Sequence, residues 1–244
     1  MILTQDLAEF AGIHAGDGHL RKDGRGLELS GGYDEKEYYD EIIIPILEKL
    51  INRKIKGRIF PSKGTYGINL NHKFINNLLE EFGFPKGNKS KVVEIPSIIL
   101  NSNEDIFKRA FLRGLFDTDG SLSFDRKSRN TNPFKKKYHF YPRILLTTIS
   151  RKMAEQVKKL CFQEGLNCSM YVSIPKIKTE STKYKLQILG KSALDYWMEH
   201  IGFNNPSKRS RFEIWAKFGF CPPNTTYEQR RKILKGELNP YELY

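Results

Sequence analysis

No stretch of this 244-residue chain approaches the roughly 20 consecutive apolar residues that a helix needs to span a bilayer, so no membrane-embedded segment is expected. Residues 1–6 lack both a basic segment and a long apolar core, so no secretory signal is expected there either. Cysteine is scarce. Cys161, Cys168 and Cys221 are odd in number and lack paired metal spacing, which points to free thiols in a reducing intracellular compartment, cytoplasmic or organellar, and away from a zinc site. The histidines (His14, His19, His72, His139 and His200) are scattered, and no two of them form a histidine-metal nuclease pattern. Acidic residues are in deficit: 28 Asp and Glu face 41 Lys and Arg, a net charge of +13. An excess of that size favours polyanionic partners, and without a membrane segment nucleic acid is the better fit.

The basic surplus is concentrated. Residues 121–191 hold 16 Lys and Arg against 4 Asp and Glu, so this stretch alone carries +12. Phe134, Tyr138, Phe140, Tyr141 and Tyr184 are interleaved with it, a combination that suits a nucleic-acid face. The chain is 39% hydrophobic and 12% aromatic, enough for a folded globule.

One order of elements occurs twice. Residues 4–15 read as a helix (Leu7, Ala8, Phe10, Ala11, Gly12, Ala15) that stops at Gly16-Asp17-Gly18. A hairpin over 18–22 and 26–31 turns at Asp23-Gly24, and an amphipathic helix follows over 34–51. A second hairpin, 55–60 and 66–70, precedes a helix over 72–82 that ends at Gly83. The second pass runs through a helix over 104–116, a long hairpin at 120–128 and 138–148, a helix over 151–164, a hairpin at 168–175 and 182–189, and a helix over 191–201. The expected class is therefore α+β, a mixed α/β protein of two pseudo-symmetric αββαββα halves. Gly83-Phe84 and Gly202-Phe203 echo each other, and a basic cluster follows each. The expected units are 1–96, 97–212 and a C-terminal extension, 213–244, in which Asn224 is placed to cap a short helix.

The segment from Phe10 to Gly18 aligns with Leu112-Arg113-Gly114-Leu115-Phe116-Asp117-Thr118-Asp119-Gly120, 102 residues later. The second copy matches the nine-residue LAGLIDADG motif, including both acids. The stretch leading into it, residues 95–100 and 111–116, resembles the same family. The first copy keeps Asp17 but has Ala15 where the motif has its first acid. The chain thus resembles a single-chain, two-motif LAGLIDADG homing endonuclease over roughly residues 4–212.

Elementary physics fits that resemblance. Glycine inside a helix costs about 1 kcal/mol relative to alanine. The cost is offset if Gly12 and Gly114 let two helices approach closely and bring Asp17 and Asp119 together. Helix C-termini already carry partial negative charge, so two carboxylates there need a cation. Carboxylate and carbonyl oxygens suit Mg²⁺ or Ca²⁺. The resemblance implies that Asp17 and Asp119 bind the metal; the carbonyls of Gly16 and Thr118 are additional candidates. Mg²⁺ is the expected ion, with Mn²⁺ as a substitute and Ca²⁺ binding without supporting cleavage. The resemblance also implies a catalytic lysine beside each acid, assigned to Lys89 and Lys208, with Lys91 and Arg209 as near alternatives.

Family membership further implies that the hairpins form saddle-shaped antiparallel sheets lying in the major groove of double-stranded DNA. Alternate strand residues would then face the DNA. The candidates are Arg21, Lys22, Arg25, Arg58, Lys63, Asn69, Arg126, Lys127, Arg129, Arg143, Lys176, Lys178, Lys183, Lys185 and Gln187. The function this implies is a divalent-metal-dependent double-strand break in a site of roughly 20 bp, made by a monomer in the service of intron or gene homing. The alternatives are a non-cleaving DNA-binding regulator and an RNA maturase of the same fold acting on host intron RNA. The chain lacks the residues that open and close a protein-splicing domain, so a free-standing or intron-encoded product is expected.

Overall fold

The centre of the fold is a crossing of two helices closed by glycine. The computed structural model describes residues 2–127, 136–177 and 179–244. The first half runs α1 (Gln5–Asp17), β1 (Gly18–Leu20), β2 (Leu27–Gly32), α2 (Ile44–Ile51), β3 (Arg58–Phe60), β4 (Thr65–Leu70) and α3 (Lys73–Glu81). The second runs α4 (Asp105–Thr118), β5 (Gly120–Asp125), β6 (Tyr141–Thr148), α5 (Arg151–Gln163), β7 (Cys168–Ser173), β8 (Lys183–Leu189) and α6 (Lys191–His200). Helices α7 (Pro206–Phe218) and α8 (Tyr227–Lys235) follow.

Thr4 caps α1, its hydroxyl accepting from the Leu7 amide at 3.2 Å. The helix is buried on every side from Leu7 to Ala15, as befits a core helix rather than a surface one. It packs most extensively on α4. A Cβ on Gly12 would lie 2.1 Å from the Phe111 carbonyl oxygen, and one on Gly114 would lie 2.2 Å from that of Glu9. The two backbones therefore touch, and no other residue fits at either position.

Each half contributes a four-stranded antiparallel sheet of the same topology, β1-β2-β4-β3 and β5-β6-β8-β7. Alternation along the strands gives each sheet one apolar face. Leu27, Leu29, Ile68 and Leu70 point inward in the first, and Leu122, Phe124, Ile144, Leu146, Leu186 and Ile188 in the second. Helices α5 and α6 cover the second sheet on that face. The opposite faces are left open.

Three expectations need correction. The amphipathic stretch 34–51 is not one α-helix: a π-helical segment, Tyr39–Ile43, precedes Ile44–Ile51. Pro45 explains it, since the ring has no N–H for the Glu41 carbonyl and would clash with it in a regular turn. Asn224 is not a cap. It adopts a left-handed backbone (φ +55°), while Thr226 caps α8 in a reciprocal pair with Gln229. The expected boundary between 212 and 213 falls inside α7, so the extension grows out of a helix that begins beside the motif helices. The extension then docks by aromatic contact: Tyr138 stacks on Phe220 at 4.6 Å, and the His139 amide donates to the Tyr244 hydroxyl at 3.0 Å.

Replacing Gly12 or Gly114 with alanine is expected to destabilise the protein by about 3 kcal/mol through backbone overpacking. By calorimetry that is a fall in Tm of roughly 6–12 °C. An unchanged Tm would show that the crossing can open without cost.

Candidate active site

Helix α1 ends on Asp17, and Asp119 follows the last residue of α4. The helix crossing sets them side by side. A Cβ on Gly16 would lie 2.1 Å from the Thr118 hydroxyl and 3.4 Å from the Asp119 carboxyl carbon, so glycine at this position admits the second helix end. Asp17 is half-buried and accepts a hydrogen bond from the Tyr39 hydroxyl at 3.4 Å. Burial, then Glu35, then Asp119 push its pKa up to about 7, against the pull of Lys208 and Lys89. Asp119 reaches solvent along one side. The low-dielectric walls around it raise its pKa, opposed by the same two lysines.

Both predicted lysines reach the helix ends. Lys89 is buried, and its Nζ donates to the Gly16 carbonyl at 2.7 Å. Lys208 Nζ donates to the carbonyls of Phe116 (2.7 Å), Asp117 (2.5 Å) and Thr118 (2.9 Å). Each lysine thus answers the negative end of one helix dipole. Burial lowers both lysine pKa values, while Asp17 and Asp119 pull each of them back up. The Gly16 and Thr118 carbonyls, expected as metal ligands, are therefore engaged by lysine; each keeps a second lone pair. A cavity of about 250 Å³ opens beside Asp119 and is lined by Gly16, Lys89, Thr147, Thr148 and Lys183.

The surroundings of the two acids are unequal. Asp117, fully buried, accepts from the Asn204 amide at 2.8 Å, and burial pushes its pKa up to about 7. Asn205, also fully buried, donates to the Asp117 carbonyl (2.9 Å) and to Glu35 (3.0 Å). Its own side-chain oxygen caps the start of α7, the helix that carries Lys208. Arg113 pairs with Glu9 across the helix crossing at 2.6 Å, and Asn204 bonds Glu9 as well. In the first half Ala15 and Ala11 occupy the places of Asp117 and Arg113. Glu35, Asn204 and Asn205 escaped the sequence reading. Asn205-Pro206 is a helix-start signal that could have flagged one of them. His14 packs as expected, its ring against Phe84 at 4.6 Å.

Only part of the expected nucleic-acid face lies on strands. Arg58, Asn69, Arg143, Lys183, Lys185 and Gln187 occupy the open faces of the sheets. Arg21, Lys22 and Arg25 lie in the β1–β2 turn, Lys63 in the β3–β4 turn, and Arg126, Lys127 and Lys176 beyond strand ends. The strands are shorter than expected because the turn residues pair locally: Arg21 with Asp23 at 3.0 Å, and the Arg25 amide with the same carboxylate. Lys63 pairs with Glu28, and Arg143 with Asp125 at 2.9 Å. Arg129 and Lys178 lie outside the described residues.

The donor set fits a hard divalent cation. Two crowded carboxylates sit among main-chain carbonyls, and the Asp119 side chain has no hydrogen-bonded or ion-paired partner among the described residues. Among those residues no cluster of three or more His, Cys, Asp or Glu is arranged to enclose an ion. The protein would therefore supply only part of a coordination shell, as is usual for Mg²⁺ bound together with phosphate and water. A raised carboxyl pKa costs stability as pH rises from the unfolded value of 3.8 towards about 7, because the unfolded chain releases its proton first. Asp17→Asn is expected to melt above wild type at pH 8 in EDTA and level with it near pH 4. Differential scanning calorimetry at the two pH values would refute this if the gap were the same at both.

Residues 107–202 match the model of the LAGLIDADG-like domain. The replication factor C small subunit of Methanocaldococcus jannaschii is 29% identical over 206 residues, 84% of this chain and 10% of that protein. The DNA polymerase of a Thermococcus species is 30% identical over 169 residues, 68% of this chain and 9% of that protein. The chain thus spans about a tenth of the length of these curated relatives. Among solved structures, a variant of the homing endonuclease I-DmoI superposes with a TM-score of 0.53 at 14% identity, covering 81% of this chain and 90% of its own. I-SmaMI gives 0.52 at 11%, covering 97% and 99%. The N-terminal LAGLIDADG domain of DUF199/WhiA gives 0.50 at 16%, covering 81% of each. Residues 107–202 thus belong to the LAGLIDADG-like domain family, and the repeated helix with the paired aspartates at its ends gives the chain the two-motif, single-chain form of that fold.

Proposed function

We propose that the protein is a site-specific DNA endonuclease that makes a double-strand break with the help of a divalent metal. The observation that carries this reading is the pairing of Asp17 and Asp119 at the ends of two helices whose backbones touch, each end capped by a lysine. I-DmoI, which shares the fold, is known in a complex with DNA and manganese.

Asp17 and Asp119 would hold the metal, with the Gly16 and Thr118 carbonyls beside them. Bound there, Mg²⁺ or Mn²⁺ supplies an activated water and a stabilised leaving oxygen for phosphodiester hydrolysis. Lys89 and Lys208 are placed to offset charge that develops on the phosphate, one in each half. The open strand faces, with Arg58, Asn69, Arg143, Lys183, Lys185 and Gln187, fit a major groove as two-stranded ribbons do. Two halves of about one helical turn each imply a target of roughly 20 bp. Homing of an intron or gene is the biological use that suits such a site.

The test is cleavage of a randomised duplex library with Mg²⁺. Recovery of one long motif, cut only with metal, is the expected result. Asp17→Asn and Asp119→Asn are each expected to abolish double-strand cleavage while leaving affinity for the duplex within a few-fold. Enrichment by binding without cutting would move the protein to a DNA-binding regulator, and selective binding of intron RNA to a maturase.

A further inference from the structure

A second basic recess lies outside the paired acids. It has a volume of about 410 Å³ and follows β5, the edge strand of the second sheet, where the first two turns of α7 and the 221–224 loop come alongside. Lys208, Arg211, Ser121, Ser123, Ser207 and Asn224 supply its polar lining, and no carboxylate takes part. Ser121 and Ser123 sit on the open face of the sheet, in register with Leu145 and Arg143 and, through them, with Gln187 and Leu189.

The charges around the recess are unequally matched: Lys208 has Asp117, Glu35, Asp17 and Asp119 near it, and Arg211 has no carboxylate partner among the described residues. Arg109, Arg113, Arg143, Arg151 and Arg209 each pair with a carboxylate. Among the described residues, Lys208 and Arg230 hydrogen-bond to neutral groups: Lys208 to helix carbonyls, and Arg230 to Ser207, Ser210 and Thr225. Arg211 reaches the Cys221 thiol. Arg230 is 2% exposed, and burial together with the neighbouring Arg211 brings its pKa down to about 10. Burying one cation beside another is costly unless an anion completes the set.

We propose that this recess is a phosphodiester subsite in which Arg211 holds a backbone phosphate of the bound strand. The inference rests on the DNA-binding reading above and adds a site to it. A guanidinium matches the two free oxygens of a phosphodiester in a forked pair, and the serine and asparagine side chains can donate to the rest. The recess adjoins Lys208 and opens beside the sheet face that carries Arg143 and Gln187. A strand lying on that face would therefore pass a phosphate over it, next to the one at the paired acids.

Binding of the full-length protein to a mixed-sequence duplex of roughly 30 bp, in EDTA and from about 50 to 200 mM KCl, tests this. Arg211→Ala is expected to lower the slope of log K against log salt by about 1 and to weaken binding across sequences. Arg211→Lys should restore the slope. Ser123→Asp, which adds a negative charge to the recess and leaves Arg211 in place, should weaken binding at least as much as Arg211→Ala. Lys159→Ala, exposed on α5 behind the sheet, should change nothing. Inorganic phosphate at constant ionic strength should not compete; competition would mean a site for the free ion instead. Wild-type protein that binds no duplex overturns the DNA-binding reading and the subsite together. A wild type that binds, with unchanged slopes in Arg211→Ala and Ser123→Asp, overturns the subsite alone.

Discussion

Everything distinctive in this protein depends on the contact between the backbones of α1 and α4. With any side chain at position 12 or 114 the helices would have to separate. The ends of both helices would then part, and the pressure that raises the Asp17 pKa would relax. The same contact makes the two helix C-termini a shared negative region. Lys89 and Lys208 answer that region from opposite sides, one from the loop before the second half and one from the helix after it. The site is thus a consequence of main-chain packing, with side chains added to a geometry that already exists.

The two halves repeat one topology but differ in chemistry. On one side of the crossing, Ala11, Ala15 and Phe111 pack as an ordinary core. On the other, Glu9, Arg113, Asn204, Asp117, Asn205 and Glu35 form a buried chain of hydrogen bonds ending at Lys208. Such networks hold their members in one arrangement when every group is matched. One oxygen of Asp117 is left unmatched, which agrees with a carboxyl that burial pushes towards its protonated form.

The sequence made the fold legible wherever the signal was local. Glycine inside a helix, Asp-Gly at a helix end and Gly-Phe after a helix are short-range features, and the αββαββα order followed from them. The pairing of Asp17 with Asp119 was legible because the same local signal occurs twice. Asn205 and Glu35 were not, because their importance lies in a contact between residues 170 apart in the chain. Asn224 and Thr226 show a nearer limit. Both can cap a helix, and only Thr226 has a glutamine three residues on to complete the exchange. The strands were overestimated where charged turn residues satisfy one another and leave the ladder, as Arg21 and Asp23 do.

The alternation along the strands has one further consequence. Residues that face outward, such as Asn69, Lys185 and Gln187, touch neither the helix crossing nor the buried network, and surface changes of this kind usually shift stability by less than about 0.5 kcal/mol. Changing the residues on those faces and keeping the spacing of the two aspartates are therefore nearly independent problems for this chain. Its lineage could vary those faces freely while the geometry at its centre stayed fixed.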